Sequence, residues 1–112
     1  KILGITELKV SCTCVRVPVY RSHSVSITAM FANEPSVEGA KAAYAGKPGI
    51  QVVDDPANKL FPVPLDTTGK DDCLVGRIRK SLVLDNALDI WVVGDQVRKG
   101  AALNAVQIAE IL

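Results

Sequence analysis

The residue pattern predicts an α+β fold, an antiparallel or mixed sheet faced by helices. Three observations predict it. Ser24 to Phe31 alternates strictly, with Val25, Ile27, Ala29 and Phe31 on one side and Ser24, Ser26 and Thr28 on the other; a period of two is that of a half-buried strand. Ala101 to Leu112 is polar only at Asn104, Gln107 and Glu110, a narrow stripe at helical spacing on an otherwise apolar surface. The elements run strand, strand, helix, strand, loop, strand, strand, helix, which is not the repeating βαβ order of a parallel sheet.

Along the chain, Lys1 to Lys9 is a short apolar stretch with weak signals. Val10 to Val19 is rich in Val, Thr and Cys and reads as a strand. Pro18 limits its pairing and points to a sheet edge or a strand end. A bend follows at Tyr20 to Ser22, then the alternating strand. Ser36 is the expected N-cap of a helix reaching Ala45, with Glu38 in the first turn, Gly46 as the stop and Pro48 beyond. Ile50 to Val53 is a short strand. Asp54 to Asp72 holds three prolines and many polar residues and reads as a long loop; a loop of this length is usually functional or an interface element. Leu74 to Lys80 and Ala87 to Val93 are two further strands. The second is apolar on both faces around Trp91, as expected of a central strand. The last helix is so apolar that it needs cover nearly all round, more than 112 residues supply. A missing partner domain or subunit is expected.

Composition excludes several classes. Hydrophobic residues make up 48% and charged residues 22%, as in a globular protein. The formal charge is +1, and no Lys/Arg run exceeds two residues, so no basic face for nucleic acid is expected. No apolar run approaches the roughly 20 residues of a membrane span. The odd cysteine count, Cys12, Cys14 and Cys73, argues against a disulfide framework and suits a reducing, cytoplasmic setting. The first residue is Lys rather than Met, which reads as a cut inside a longer protein.

The chemistry-bearing candidates are few. The sole histidine, His23, lies seven residues after Arg16. An imidazole titrates near neutral pH and serves as a proton shuttle. A guanidinium fork holds a carboxylate through two parallel hydrogen bonds. Together they suit an enzyme acting on a small amino acid, although a lone His is more often a surface or satisfied residue and a lone Arg a salt-bridge partner. Cys12 and Cys14 form C-x-C, but a closed metal site needs about four ligands, so no metal is expected and buried strand cysteines are the better reading. A Cys–His pair is disfavoured because an apolar strand raises a thiol's pKa. Arg77 and Arg79 share one strand face, most simply a solvated or ion-paired one. Gly94 to Gly100 is a capping turn; it contains no G-x-G-x-x-G.

At these residues the sequence resembles aspartate-semialdehyde dehydrogenase. The matching segments are Thr13-Cys-Val-Arg-Val-Pro-Val19, His23-Ser24, Pro64-Leu65 with Gly69-Lys-Asp71, Val75-Gly-Arg-Ile-Arg79, and Gly94-Asp-Gln-Val-Arg-Lys-Gly-Ala-Ala-Leu-Asn-Ala-Val-Gln-Ile-Ala-Glu110. They span nearly the whole chain in order. The resemblance implies an oxidoreductase that reduces L-aspartyl 4-phosphate to L-aspartate 4-semialdehyde and phosphate with NADPH, through a cysteine acyl-thioester, on the route to lysine, threonine and methionine. It implies Arg16 as the substrate-carboxylate arginine, His23 as the acid/base histidine and Gln96 as the residue touching NADP.

By the same resemblance, residues 1–112 form the C-terminal portion of the catalytic and dimerisation domain, whose last helix (about 100–112) packs on an N-terminal NADP-binding domain. The partners implied are that remainder of the chain and further copies, as a homodimer or dimer of dimers. The family's nucleophile lies in an Asn-Cys-Ser/Thr context that Cys12, Cys14 and Cys73 do not have, so the segment alone is expected to be inactive. Other readings are an N-acetyl-glutamyl-phosphate reductase piece, which shares the acyl-phosphate chemistry, and a stand-alone α+β ligand-binding or dimerisation domain.

Overall fold

The computed structural model describes Gly4 and residues 13–112. Four strands form one mixed sheet in the order β1-β4-β3-β2. They are β1 (His23–Met30), β2 (Ile50–Val52), β3 (Cys73–Lys80) and β4 (Ala87–Gly94). β4 is antiparallel to both β1 and β3, and β2 runs parallel to β3. The sheet is thus mixed and faced by helices, as expected. β4 is interior, which explains why it is apolar on both faces.

Helix α1 (Val37–Tyr44) begins where the N-cap signal put it: Ser36 Oγ accepts from Gly39 N at 2.8 Å. Gly46 follows with φ +69, a left-handed conformation that glycine adopts without strain. α1 packs on β2 and β3. Val37, Ala40 and Tyr44 lie on a core of Val75, Ile78, Leu88 and Ile90, with Ile50 and Val92 beside it.

The long connection between β2 and β3 is more ordered than the sequence suggests. It contains a bridge between Asp55 and Leu60 and a short helix, α2 (Pro64–Thr67). Pro64 occupies the first helical turn, where its missing N–H has no hydrogen bond to lose. The reading of Asp54 to Asp72 as loop throughout is corrected to that extent.

β3 also departs from a regular strand. Its register against β4 shifts between Gly76 and Arg79, and Arg77 has φ +55. This is a bulge, one extra residue inserted into the ladder. Asp54 anchors it: its carboxylate accepts from Arg77 N at 2.9 Å and Ile78 N at 3.3 Å, and pairs with Lys41 Nζ at 2.9 Å. Gly76 is indispensable beside it. A Cβ there would lie 2.1 Å from the Val53 carbonyl oxygen and 2.6 Å from Pro62 Cδ.

Two other expectations need correction. Thr13 to Val19 is not a strand; it is exposed and makes no strand pairing among the described residues. Val19 N donates to Val17 O at 2.8 Å, a three-residue turn about Pro18 that breaks the extended direction. The rest of that expected strand, Val10 to Cys12, lies outside the described residues, as does Lys1 to Lys9 apart from Gly4. The last helix starts three residues early, as a π-helical turn at Arg98–Ala102, and continues as α3 (Leu103–Ala109). No residue of α3 is buried; Val106 is 54% exposed and Ile108 52%. No helix among the described residues is long and apolar enough to cross a membrane.

Candidate active-site segment

His23 is the first residue of β1, paired in register with Gly94 at the end of β4. The chain reaches it through a tight bend. Ser22, immediately before, has φ +79 and is almost fully buried. A non-glycine residue in that region costs of order 1–3 kcal/mol and persists only where its surroundings hold it. They do so here. Ser22 N donates to Gln96 Oε1 at 2.8 Å. Thr67 Oγ1 donates to Ser22 Oγ at 2.9 Å, and Thr68 Oγ1 lies 3.4 Å from the same hydroxyl. Thr67 has no solvent exposure, and its hydroxyl also lies 3.1 Å from Pro64 O.

Gln96 stands in the turn after β4, which the sequence marks as a capping turn. Asp95 makes the cap. Its carbonyl accepts from Arg98, Lys99 and Gly100 N, and its Oδ1 from Val97 N at 2.9 Å. The other carboxylate oxygen faces elsewhere. Oδ2 accepts from Gly69 N at 2.7 Å and lies 2.8 Å from Arg21 Nε. The buried Nε–H has no acceptor in line, so the Arg21 contact is a charge attraction rather than a directed hydrogen bond. Asp95 is completely buried. Burial pushes its pKa up, but the Gly69 N–H, Arg21 and the Val97 N–H together outweigh this and hold it below the ordinary carboxylate value. Asp95 is therefore charged at neutral pH.

The structure thus brings two of the three expected site residues together: His23 and Gln96 flank the Ser22–Gln96 hydrogen bond. Arg16 lies in the exposed segment before the bend and forms no ion pair among the described residues. The expected salt-bridge alternative for this arginine has no counterpart there. Arg21, Ser22, Thr67, Gly69 and Asp95 have no site role in the sequence reading, although Gly69 and Asp95 fall in the segments that resemble the family. Ser22 and Gln96 are 74 positions apart, and no local pattern announces such a contact.

The cysteines are separated. Cys12 lies outside the described residues. Cys14 is exposed and off any strand, which corrects its reading as a buried strand residue. Cys73, on β3, is partly buried, and its Sγ packs against Gly94, where a Cβ would approach to 2.8 Å. Burial pushes its thiol pKa up, Lys99 opposes this, and Asp72 adds to the rise. A protonated thiol is a poor nucleophile. Gly94 also separates it from His23, which puts the two residues about two strand spacings apart, roughly 10 Å. Among the described residues no three His, Cys, Asp or Glu side chains gather as metal ligands would.

Arg77 and Arg79 both line a groove of about 430 Å³ between the sheet and Phe61 to Pro64. Arg77 lies over the Phe61 ring, 5.8 Å from its centroid, and Arg79 is 3.6 Å from Asp89. The reading of a solvated or ion-paired face describes that arrangement: Arg79 is ion-paired, and Arg77 is exposed.

Residues 1–99 match the family model of the semialdehyde dehydrogenase dimerisation domain. The chain belongs to that family. Its relatives agree. It is 53% identical over all 112 residues to the aspartate-semialdehyde dehydrogenases of Synechocystis sp. and of Prochlorococcus marinus, and covers 33% of each. It is 48% identical to that of Aquifex aeolicus over the same length. Among solved structures, aspartate semialdehyde dehydrogenase II of Vibrio cholerae, complexed with ASA, superposes with a TM-score of 0.81 at 40% identity, covering 89% of this chain and 29% of that one. The chain therefore spans about a third of the length of the curated relatives it matches.

Proposed function

We propose that this dimerisation-domain segment supplies the substrate-carboxylate and proton-transfer groups of an aspartate-semialdehyde dehydrogenase. The enzyme reduces L-aspartyl 4-phosphate to L-aspartate 4-semialdehyde and releases phosphate, with NADPH as the hydride source. The observation that carries the reading is the Ser22–Gln96 hydrogen bond, which joins the His23 bend to the turn after β4. The relatives' names favour an aspartyl rather than an N-acetylglutamyl substrate.

His23 is the acid/base group: exposed at the head of β1, it is free to accept and return a proton. Arg16, exposed in the segment leading to the bend, pairs with the substrate carboxylate. Gln96 contacts NADP. Its Oε1 is taken by Ser22 N, which leaves the amide NH2 to donate to an acceptor on the cofactor. The nucleophilic cysteine and the dinucleotide-binding domain belong to the rest of the protein, since no Asn-Cys pair and no G-x-G-x-x-G occur in these residues. The helix α3, beyond the matched residues 1–99 and with no side chain buried, packs on that domain. The assembled enzyme is a cytoplasmic dimer or dimer of dimers.

A chimera tests this. The 112 residues replace the aligned third of the Synechocystis sp. relative, and phosphate- and NADP-dependent oxidation of aspartate semialdehyde is assayed across pH. The expected outcome is an active enzyme in which His23→Ala lowers kcat by on the order of 10²–10⁴ and removes one limb of the pH profile. Arg16→Leu should cost about 2–5 kcal/mol in kcat/KM, the penalty of leaving a charge unpaired, while Arg16→Lys keeps part of the activity at raised KM. A His23→Ala chimera with unchanged melting temperature, near-normal kcat and an unaltered pH profile would sink the assignment.

A further inference from the structure

We propose that Asp95 is a positioning residue for the reaction: its carboxylate fixes the bend that carries His23 against the turn that carries Gln96. This rests on the reading of His23 as the acid/base group.

Capping alone does not account for how Asp95 is built in. A cap needs the Asp95 carbonyl and one carboxylate oxygen, and those are used on Val97, Arg98, Lys99 and Gly100. The second oxygen does something separate. Oδ2 holds Arg21, two residues before His23, and Gly69 N, two residues after Thr67. Thr67 in turn bonds the Ser22 hydroxyl. Three chain segments distant in sequence therefore converge on one buried carboxylate, and all three border Ser22. That residue sits at φ +79, a conformation its own chemistry does not favour. Release of Oδ2 frees Arg21 on one side of Ser22 and the Thr67–Gly69 corner on the other. The bend is then free to relax, and His23 moves with it. Because a shift of about 1 Å in a reacting group can cost 10²-fold in rate, a residue with no path to substrate still governs catalysis. Asp95 has no exposed surface and acts only through its neighbours.

The test uses the active chimera and a double-mutant cycle. Asp95→Asn keeps the size of the side chain but loses the charge, and it turns one acceptor into a donor facing an N–H. It is expected to lower kcat per folded enzyme by on the order of 10- to 100-fold. In the His23→Ala background the same substitution should change kcat by less than about twofold, because the group it positions is already gone. A purely structural Asp95 gives the same fold loss in both backgrounds, and that result overturns the proposal. Arg21→Met breaks only the Oδ2 charge contact and leaves the cap intact, so it carries the test if Asp95→Asn fails to fold. A smaller kcat loss that again vanishes without His23 supports the proposal; an additive loss, or none, overturns it. If His23→Ala itself leaves kcat unchanged, the acid/base reading falls as well. That outcome is seen in the single variant, before Asp95 is altered, so the two failures are told apart.

Discussion

Between α1 and strands β2, β3 and β4 the chain seals its own core, with Val75, Ile78, Leu88 and Ile90 no more than 6% exposed. Along β1 and α3 it does not. By register Val25 and Ile27 share a sheet face with Val92 and Ile90, yet they remain 49% and 37% exposed because α1 packs mainly over β2 and β3. Val106, Ile108, Ile111 and Leu112 are exposed at more than half their surface. The two regions are equally apolar in sequence. What separates them is whether the covering element lies within the described residues. The uncovered region also carries the proposed site: His23 heads β1, and Gln96 precedes the π-helical turn that runs into α3. A site at an open boundary suits an enzyme whose remaining groups come from elsewhere in the protein.

The contrast is broken most strongly from the covered side. Leu88→Ala, at a residue 1% exposed, should cost about 2–5 kcal/mol, the usual range for a buried leucine. Urea denaturation of the chimera measures it, and a loss under about 1 kcal/mol would mean that the core does not centre on this residue. Gly76→Ala comes next. The added methyl meets the Val53 carbonyl, a backbone atom that moves only with its strand; overpacking of this kind costs about 1–3 kcal/mol. A neutral Gly76→Ala would refute the close approach of Val53 and Pro62 at the bulge. The smallest effect is expected on the open side. Ile108→Ser should shift the stability of the 112-residue chain by no more than about 0.5 kcal/mol, as exposed positions do, while reducing its binding of a hydrophobic dye. In the chimera the same change should be distinctly more destabilising, because the helix is covered there. Equal effects in the two proteins would show that α3 stays open in the whole enzyme.

The alternation of Ser24 to Phe31, the Ser36 cap with Gly46 as stop, and the doubly apolar run around Trp91 determined β1, α1 and the central strand by themselves. Each is a local signal, in which side-chain spacing or a cap hydrogen bond within a few residues decides the backbone. The same locality made His23, Arg16 and Gln96 candidates, through the segments that resemble the family. Only the tertiary structure decided the rest. Thr13 to Val19 has strand composition but pairs with no strand among the described residues, and Pro18 turns it away. The bulge at Arg77 exists because Asp54, 23 positions earlier, captures its N–H. α2 exists where its Thr67 is buried against Ser22. Asp95 reads in sequence as one more acidic residue in a turn. It becomes the anchor of Arg21, Gly69 and Val97 only when β4 carries it to the end of the sheet beside the His23 bend. The physical reason is common to all of these. A hydrogen bond or ion pair between residues tens of positions apart leaves no periodicity in the chain, so it forms only once the sheet has set the distance.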